Sequence, residues 1–329
     1  MRFEDGVAAQ PEVLARSAEA VVAGLSRVAP LEDGQLVALV GIGASEHIAR
    51  GAASAWRAAG LRAVALSATE LMDGAPPLAD VYVALSESGR SAETVAALSR
   101  VEGRRIAVTN EPGSPLAGLV EEVLVLDSGP DSPVYTTGYT ATLQAVGLLG
   151  EHWLGASGDW TPLPDLVCSV IEASRPVADA LAEQFGAARV VDVVGSGTAT
   201  ATAGEGALVL REAARVHTAQ HETYNYLHGP MEPLDDETAC VVVGDGREVR
   251  LAVDVSTLGC PTLLLTTRSD VEATDHLTVL RLPVAGSDLA QTVLQIVPLQ
   301  MLTWRLASDR GLRVDGFRYH QDDTKLEDQ

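Results

Sequence analysis

The sequence has few cysteines, and their number and placement argue against a covalent framework. The three cysteines, Cys168, Cys240 and Cys260, are far apart and flanked by apolar residues. We predict buried free thiols rather than disulfides or metal ligands, because an odd and scattered set does not form a disulfide framework. Free thiols are typical of a reducing compartment, so we expect a cytoplasmic protein.

Long apolar runs are also absent. No run reaches the roughly 20 residues that a helix needs to cross a bilayer, and the acidic first residues, Met1 to Gly6, lack the apolar core of a signal peptide. Both absences favour a soluble protein that does not associate with membranes.

Basic residues are scarce. Lys and Arg number 23 against 45 Asp and Glu, which gives a formal net charge of −22. Nucleic acid and anionic membranes are therefore excluded as expected partners, because both would be repelled by the surface as a whole. An anionic ligand would need local donors, such as backbone N–H groups at helix N-termini.

Short β-rich runs alternate with longer Ala- and Leu-rich stretches, which predicts an α/β fold with parallel sheets covered by helices. The hydrophobic content of 47% and the length of 329 residues suit two cores of comparable size. The predicted strands are 36–40, 64–66, 81–85, 105–108 and 123–126 in the first half, and 190–194, 239–243, 261–265 and 277–280 in the second.

The order of these runs repeats along the chain, and Gly41 and Gly195 follow the opening strand of each half. A repeat this long fits a duplicated domain rather than a solenoid. Helical spacing of apolar residues predicts helices at 10–28 and 164–184, and a Gly-, Ser- and Pro-rich stretch separates the halves. We divide the chain into an N-terminal helix at 1–28, a first domain at 29–156, a linker and helix at 157–186, and a second domain with its tail at 187–329.

Three loops at the predicted carboxyl edge of the first sheet are rich in hydroxyl groups. They span 41–45, 86–91 and 132–138. In open α/β sheets, ligands bind beyond the carboxyl ends of the strands. One such loop is more often a helix cap than a ligand site. Three on one edge favour a phosphate cradle, because hydroxyls and helix N-termini converge there.

The loop Ser-Glu-Ser-Gly-Arg-Ser at 86–91 resembles the Ser-Gln-Ser-Gly-Glu-Thr signature of the sugar isomerase (SIS) domain family, and residues 109–117 resemble the segment after that family's fourth strand. The resemblance covers nearly the whole chain in duplicate. It implies two tandem, doubly wound, flavodoxin-like domains and a sugar-phosphate substrate. The substrate-binding residues implied are Ser45, Ser86, Glu87, Ser88, Ser91, Thr136 and, through its backbone, Val134.

The second half has Gly-Asp-Gly-Arg at 244–247 where the first has its serine loop, and it carries the segments 205–212 and 226–230 instead. These segments resemble the isomerase part of glutamine:fructose-6-phosphate amidotransferase and related sugar-phosphate deaminases and deglycases. By resemblance, Glu212 is the base for a carbon-bound proton and His228 opens the sugar ring. The chemistry also requires such a pair, since a C1/C2 carbonyl shift needs a carboxylate and ring opening needs a group that titrates near neutrality.

Two residues depart from the family pattern. Glu87 stands where the family commonly has Gln, and a carboxylate there repels a phosphate unless Arg90 or a ligand amine offsets it. The amidotransferase has a tail lysine that forms a Schiff base with the ketose. The matching position here is Asp322, and the only lysine, Lys325, lies three residues further on.

A metal site is a weaker interpretation of three histidines. His217 and His221 are four residues apart on a predicted helix, with His228 nearby. That spacing suits zinc, but the segment lacks the Glu of the metalloprotease motif, and helical histidine pairs are usually structural. We expect neither a metal nor a cofactor.

These patterns together predict a phosphosugar isomerase or deaminase, resembling glucosamine-6-phosphate deaminases and deglycases, which acts on an amino-sugar phosphate or a fructosamine-type phosphate. The chain carries no glutaminase domain or N-terminal cysteine, so we do not expect glutamine as amine donor. A plain aldose-ketose isomerase, an isomerizing aminotransferase and a non-catalytic sugar-phosphate sensor remain alternatives. The resemblance further implies a homodimer with shared active sites. The sugar and the leaving amine stay open.

Overall fold

The computed structural model describes residues 1–72, 77–314, 316–319 and 321–327. Strands and helices alternate through these ranges. The strands are β1 Val37–Gly41, β2 Ala63–Ser67, β3 Val81–Leu85, β4 Arg104–Thr109, β5 Glu122–Val125, β6 Val190–Gly195, β7 Thr218–Glu222, β8 Thr238–Val243, β9 Thr262–Thr266 and β10 Leu277–Arg281. The helices are α1 Phe3–Leu25, α2 Ala44–Ala58, α3 Thr69–Met72, α4 Ala92–Leu98, α5 Thr137–Leu154, α6 Leu163–Ala187, α7 Ala199–Glu212, α8 Thr223–Tyr226, α9 Arg247–Ser256 and α10 Asp288–Asp309.

The strands form two five-stranded parallel sheets, in the orders β2-β1-β3-β4-β5 and β10-β9-β8-β6-β7. Counted from the first strand of each half, both sheets have the order 2-1-3-4-5, which is the flavodoxin-like doubly wound order. The predicted α/β class with two tandem domains is therefore confirmed.

The two glycines that align the halves occupy equivalent positions. A Cβ on Gly41 would lie 2.7 Å from the backbone carbon of Ser45, and one on Gly195 would lie 2.9 Å from the carbonyl oxygen of Ala199. Each strand end therefore runs too close to the first turn of the following helix for any side chain.

The inner faces of the two sheets share one apolar core instead of the two predicted. Leu39 of β1 and Val193 of β6 belong to the same buried cluster. Helices α2, α5, α7 and α10 pack on one another between the sheets, so their apolar faces join the two halves. Two smaller clusters cover the outer faces.

Several local predictions differ from the structure. Helix α1 begins at Phe3, which is fully buried, rather than at residue 10. The segment 217–221, predicted as a helix, instead contains the edge strand β7, which extends the second sheet beside β6. Cys168 was predicted to be buried but is exposed on α6, whereas Cys240 and Cys260 are buried free thiols. Across the described ranges, no helix combines the length and apolar character needed to cross a bilayer.

Candidate functional site

The serine loop between β3 and α4 is a tightly fixed turn. The Ser86 side chain is buried, and its hydroxyl lies 3.1 Å from the hydroxyl of Ser91. Gly89 has a φ of 61°, and a Cβ there would lie 2.0 Å from the Ser114 hydroxyl oxygen. Only glycine fits this conformation and this space, so the backbone at the predicted phosphate loop is set by sterics.

This loop forms one wall of a large cavity of about 810 Å³, which we call the serine cavity. Glu87 and Ser88 are the two predicted substrate-binding residues that line it. Among the described residues, its lining is Met1, Arg2, Asp5, Glu87, Ser88, Asp131, Ser132, Pro133, Tyr135, Phe317 and Lys325.

Asp131 organises the loop before α5. Its carboxylate accepts hydrogen bonds from the backbone N–H groups of Thr136 and Gly138, each at 2.8 Å, and from the Thr136 hydroxyl at 2.6 Å. The carboxylate thus caps the helix N-terminus, where negative charge is stabilised. Thr136 is fully buried with its hydroxyl turned to Asp131, so this predicted phosphate ligand already has a partner within the protein.

Ser86 and Ser91 bond to each other within the serine loop and do not line the serine cavity, and the predicted residues Val134 and Ser45 also lie outside its lining. Val134 is buried, and its carbonyl accepts a hydrogen bond from the Ser132 hydroxyl. Ser45 is half-buried in the first turn of α2, where its backbone packs against Gly41 at the end of β1.

The C-terminal tail crosses the serine loop and carries Lys325 into the cavity. The Leu326 N–H donates to the Arg90 carbonyl at 2.9 Å, and the Ala92 N–H donates to the Thr324 carbonyl at 3.1 Å. These bonds make a short antiparallel bridge between Ser91 and Lys325. The Lys325 Nζ lies 3.3 Å from the Tyr135 hydroxyl.

Glu87 is a partly buried carboxyl group whose pKa is shifted from its ordinary value. Burial, followed by the charge of Asp131, raises the pKa of Glu87 to about 7, although Lys325 opposes the shift. Burial, followed by the charges of Glu87 and Asp131, raises the pKa of the neighbouring Tyr135 as well. Around neutral pH, Glu87 is therefore partly protonated and able to donate a hydrogen bond.

Glu212 ends helix α7 at the wall of a second cavity of about 280 Å³, which we call the arginine cavity. Its lining is Arg211, Glu212, Arg215, Val216, His217, Phe317, Arg318 and Tyr319. Burial raises the pKa of the Glu212 carboxyl to about 7. A carboxyl group with this pKa is suited to accept and return a proton near neutral pH.

Two residues connect the cavities. Phe317 lines both of them. Glu205 is fully buried on α7, and its pKa is raised by burial first and then by the nearby charges of Glu212 and Asp131. Because Glu205 interacts with a carboxylate of each cavity, Glu212 and the serine cavity belong to one region of the molecule.

His228 lies apart from both linings. It is exposed in the turn that follows α8. His217 lines the arginine cavity, whereas His221 stands on β7 with its Nε2 3.8 Å from a carboxylate oxygen of Asp192. Among the described residues, no group of His, Cys, Asp and Glu is arranged to hold a metal ion.

The loop of the second sheet that corresponds to the serine loop is filled by the protein itself. Glu248 is buried, and its carboxylate accepts a hydrogen bond from the Ser196 hydroxyl at 2.7 Å. The Asp245 carboxylate accepts from the Thr267 N–H and hydroxyl, each at 2.7 Å. Internal carboxylates thus occupy the space that an anionic ligand would need.

The sequence did not identify Asp131, Tyr135 and Glu205 as site residues. Tyr135 nevertheless lies in the hydroxyl-rich loop 132–138, and Glu205 in the segment 205–212 that carries the family resemblance. An acidic residue five positions before a helix N-cap, Thr136, is a signal for Asp131, because carboxylates favour helix N-termini. Glu205 carries no such signal, since its burial depends on packing between distant segments.

Comparisons with known sequences agree with this architecture. The profile of the SIS domain matches residues 32–151 and 185–306. An isomerizing glutamine–fructose-6-phosphate aminotransferase of Thermus thermophilus is 32% identical over 71% of this chain, and that of Bradyrhizobium diazoefficiens is 30% identical over 72%. The chain spans 42% of the length of each of these two relatives.

Solved structures show the same fold over almost the whole chain. Glucosamine-6-phosphate deaminase from Thermotoga maritima has a TM-score of 0.81 and 21% identity, and the match covers 99% of both chains. The C-terminal domain of glucosamine-fructose-6-phosphate aminotransferase from Francisella tularensis has a TM-score of 0.80 and 21% identity, covering 95% of this chain and 97% of that one. With both profile matches falling on the two parallel sheets, this chain belongs to the SIS domain family.

Proposed function

We propose that this protein is a phosphosugar isomerase or deaminase that acts on an amino-sugar phosphate or a fructosamine-type phosphate. The observation that carries the proposal is the position of Glu212, a partly buried carboxyl group with a pKa raised to about 7, on the wall of the arginine cavity, which shares Phe317 with the serine cavity. The names of the relatives from Thermotoga maritima and Thermus thermophilus, a deaminase and an isomerizing aminotransferase, support the same reaction class.

The phosphate is assigned to the serine loop. Ser88 lines the serine cavity, while the paired hydroxyls of Ser86 and Ser91 hold the loop in shape and offer a further donor. Hydroxyl donors to a charged acceptor give strong, short hydrogen bonds. Lys325 adds one positive charge on the same cavity, which offsets the carboxylates around it.

The proton transfer is assigned to Glu212. In the open-chain sugar, the ionised carboxylate removes the proton from the carbon next to the carbonyl and returns it to the neighbouring carbon. A hydroxyl proton passes to the former carbonyl oxygen in the same sequence, so that the carbonyl moves between C1 and C2. Where one of these carbons carries an amine, the carbon-bound proton shift prepares loss of that amine. A pKa near 7 makes both directions accessible, because the carboxyl group neither holds nor releases its proton too strongly.

The environment of Glu212 favours this proposal over a non-catalytic sensor. A sensor needs donors for the phosphate but has no use for a partly buried carboxyl group whose pKa is near neutral pH. Perturbed carboxyl groups beside a cavity are typical of catalytic sites.

We test the proposal with glucosamine 6-phosphate and fructose-amine 6-phosphates, measuring released ammonia or amino acid and exchange of the C1 or C2 proton in deuterated water. Glu212→Gln should reduce turnover by at least roughly 10²-fold while ligand affinity is retained, since the isostere keeps the shape but accepts no proton. The acidic limb of the wild-type pH profile should rise through about 7, where Glu212 ionises.

The matched control is Glu19→Gln, which removes an exposed carboxylate from α1. It should leave turnover unchanged. Activity of Glu212→Gln within a few-fold of the wild type would remove Glu212 from the role of base.

A further inference from the structure

We propose that the arginine cavity binds a carboxylate carried on the amine of the substrate, so that the preferred substrates are sugar phosphates N-linked to an amino acid. This rests on the proposed function, and it names the group that leaves. The observations that carry it are the charge of the cavity, the backbone of Arg215 and the position of Glu212.

The charge of the cavity is opposite to that of the molecule. The chain has 45 acidic and 23 basic residues, yet three arginines, Arg211, Arg215 and Arg318, line this one cavity. Among the described residues of that lining, Glu212 is the single acidic one, and its raised pKa leaves it partly neutral near pH 7. The cavity therefore attracts an anion on a surface that otherwise repels one.

Arg215 occupies a backbone position that normally belongs to glycine. The Val216 N–H donates to the Leu210 carbonyl at 3.1 Å, so the chain folds back against the last turn of helix α7. Arg215 lies within this turn and has a left-handed φ of 55°. Residues with side chains adopt this conformation at a steric cost, and such outliers cluster at functional sites.

The Arg215 side chain is not needed to satisfy the backbone carbonyls at the end of α7. The carbonyls of Ala214 and Arg215, just beyond the end of α7, accept hydrogen bonds from Arg310 at 2.9 and 3.2 Å. Arg211 donates to the Thr218 carbonyl at 2.8 Å and has a structural role of its own. Among the described residues, neither the Arg215 nor the Arg318 guanidinium has a hydrogen-bond or ion-pair partner within the protein.

The order of groups along the substrate matches the order of the cavities. With the phosphate on the serine loop, the C1/C2 end of the sugar points to Glu212, which must reach the carbon-bound proton. An amine on C1 or C2 is adjacent to that proton. Whatever the amine carries then enters the arginine cavity, which has Glu212 on its wall and shares Phe317 with the serine cavity.

The test uses two unreactive sugar-alcohol phosphates that differ in one group. Their sixth carbon carries phosphate and their first carbon carries either a carboxymethylamino or a methylamino group. Binding is measured by calorimetry on the intact chain. The wild type should bind the carboxymethyl compound at least about tenfold more tightly, because guanidinium–carboxylate hydrogen bonds are charge-assisted and often bidentate.

Arg215→Gly should reduce that preference to within about threefold, since it removes one guanidinium partner. Its melting temperature should stay equal or rise, because glycine is unstrained in this conformation. Arg318→Gln should lower the preference too, and it alters the tail without touching a helix. The control Arg27→Gly, an exposed position after α1, should retain the full preference.

The outcomes separate this inference from the proposed function. Equal affinity of the wild type for both compounds overturns the inference and leaves the isomerase or deaminase assignment standing. Retention of the full preference in Arg215→Gly and Arg318→Gln also overturns it. A preference that depends on these arginines, together with no turnover of any fructose-amine 6-phosphate, supports the carboxylate site and overturns the proposed reaction. Failure of both compounds to bind overturns both.

Discussion

At the scale of single residues, the protonation state of Glu87 decides whether this side chain repels or binds a phosphate in the proposed phosphate site. A carboxylate in the serine loop repels a phosphate, whereas a neutral carboxyl group donates a hydrogen bond as a glutamine does. Burial and the charge of Asp131 raise the pKa of Glu87 to about 7, and an incoming phosphate would raise it further because it adds negative charge. In the proposed phosphate site, protonated Glu87 would therefore donate a hydrogen bond as a glutamine does. This donor is lost when Glu87 ionises as the pH rises.

We predict that Glu87→Gln changes the pH dependence of binding. In the wild type, the affinity for a sugar phosphate should fall as the pH rises above about 7, because Glu87 ionises there. In Glu87→Gln the affinity should stay level between pH 7 and 9 and exceed the wild-type value at pH 9. Calorimetric titrations at several pH values measure this. Parallel pH profiles for the two proteins would contradict a protonated Glu87 in the complex.

We predict different consequences for the two serines of the loop. Ser88→Ala should weaken binding of the phosphorylated ligand by roughly 1–2 kcal/mol, since it removes one hydrogen bond to a charged acceptor, and its melting temperature should barely change. Ser86→Ala should weaken binding by a similar amount. The Ser86 hydroxyl also contacts Ser91 inside the protein, so only this variant should lose some thermal stability. Calorimetry and thermal melts check both, and normal binding by both variants would make the hydroxyls loop supports only.

At the scale of elements, the C-terminal tail brings the only lysine of the chain to the site. Residues 324–326 bond to the backbone of the serine loop, and this holds Lys325 above the Tyr135 ring, with Nζ 5.6 Å from the ring centre. The sequence left the role of Lys325 open, because the position that matches the family lysine is Asp322. The backbone bonds of the tail place the amine on the serine cavity in spite of this shift in register.

We predict that Lys325 forms a Schiff base with a ketose phosphate. Its amine adds to the C2 carbonyl with loss of water, and borohydride reduction should then trap a secondary amine that mass spectrometry locates. Because Lys325 is the only lysine, an adduct on a side-chain amine identifies it without ambiguity. Lys325→Gln is the control and should show no such adduct. Absence of a trapped adduct in the wild type, under conditions that allow turnover, would refute a covalent role.

Parallel strands were the elements best predicted from the sequence. Runs such as 81–85 and 239–243 are buried on both faces, so their apolar character is unbroken. Edge strand β7 was missed because it pairs on one side only and carries polar residues, among them Gln220 and His221. The start of α1 was placed too late, since two acidic residues follow the buried Phe3 and hide the apolar period there.

The candidate site was only partly accessible to sequence reasoning. The serine loop was located by its spacing and its place after a strand, because the carboxyl edge of a parallel sheet is a general binding position. The arginine cavity was not predicted. Arg211 and Arg318 are far apart in the sequence and meet only when the tail folds onto α7. Likewise, no local pattern shows that Thr136 turns its hydroxyl to Asp131.

At the scale of the whole molecule, the duplicated halves have diverged in opposite ways. The first keeps an open serine loop, while the second fills its equivalent loop with the carboxylates of Glu248 and Asp245. The second half instead supplies Glu212 and the end of α7. Since the two sheets share one core through α2 and α7, the proposed phosphate donors of one half and the proposed base of the other are held at a fixed separation.

The exposed position of His228 bears on the assembly. Its turn lines neither the serine cavity nor the arginine cavity, yet the family resemblance gives this histidine the ring-opening role. The position of His228 outside both cavities and its implied ring-opening role are compatible if His228 contributes to the active site of a second subunit. Closed two-fold dimers are the commonest oligomers, and their symmetry would supply two such contacts at once.

We therefore predict a homodimer with shared active sites, tested by mixing two inactive variants. Ser88→Trp blocks the serine cavity and His228→Ala removes the ring-opening group. After subunit exchange, a mixed dimer holds one site in which both residues are intact, because the histidine comes across the interface from the Ser88→Trp subunit. Activity should then return to about a quarter of the wild-type value after random exchange of equal amounts, half of the dimers being mixed with one working site each. A fully active monomer, or no recovery in a mixture shown to have exchanged, would place His228 outside the site of its neighbour.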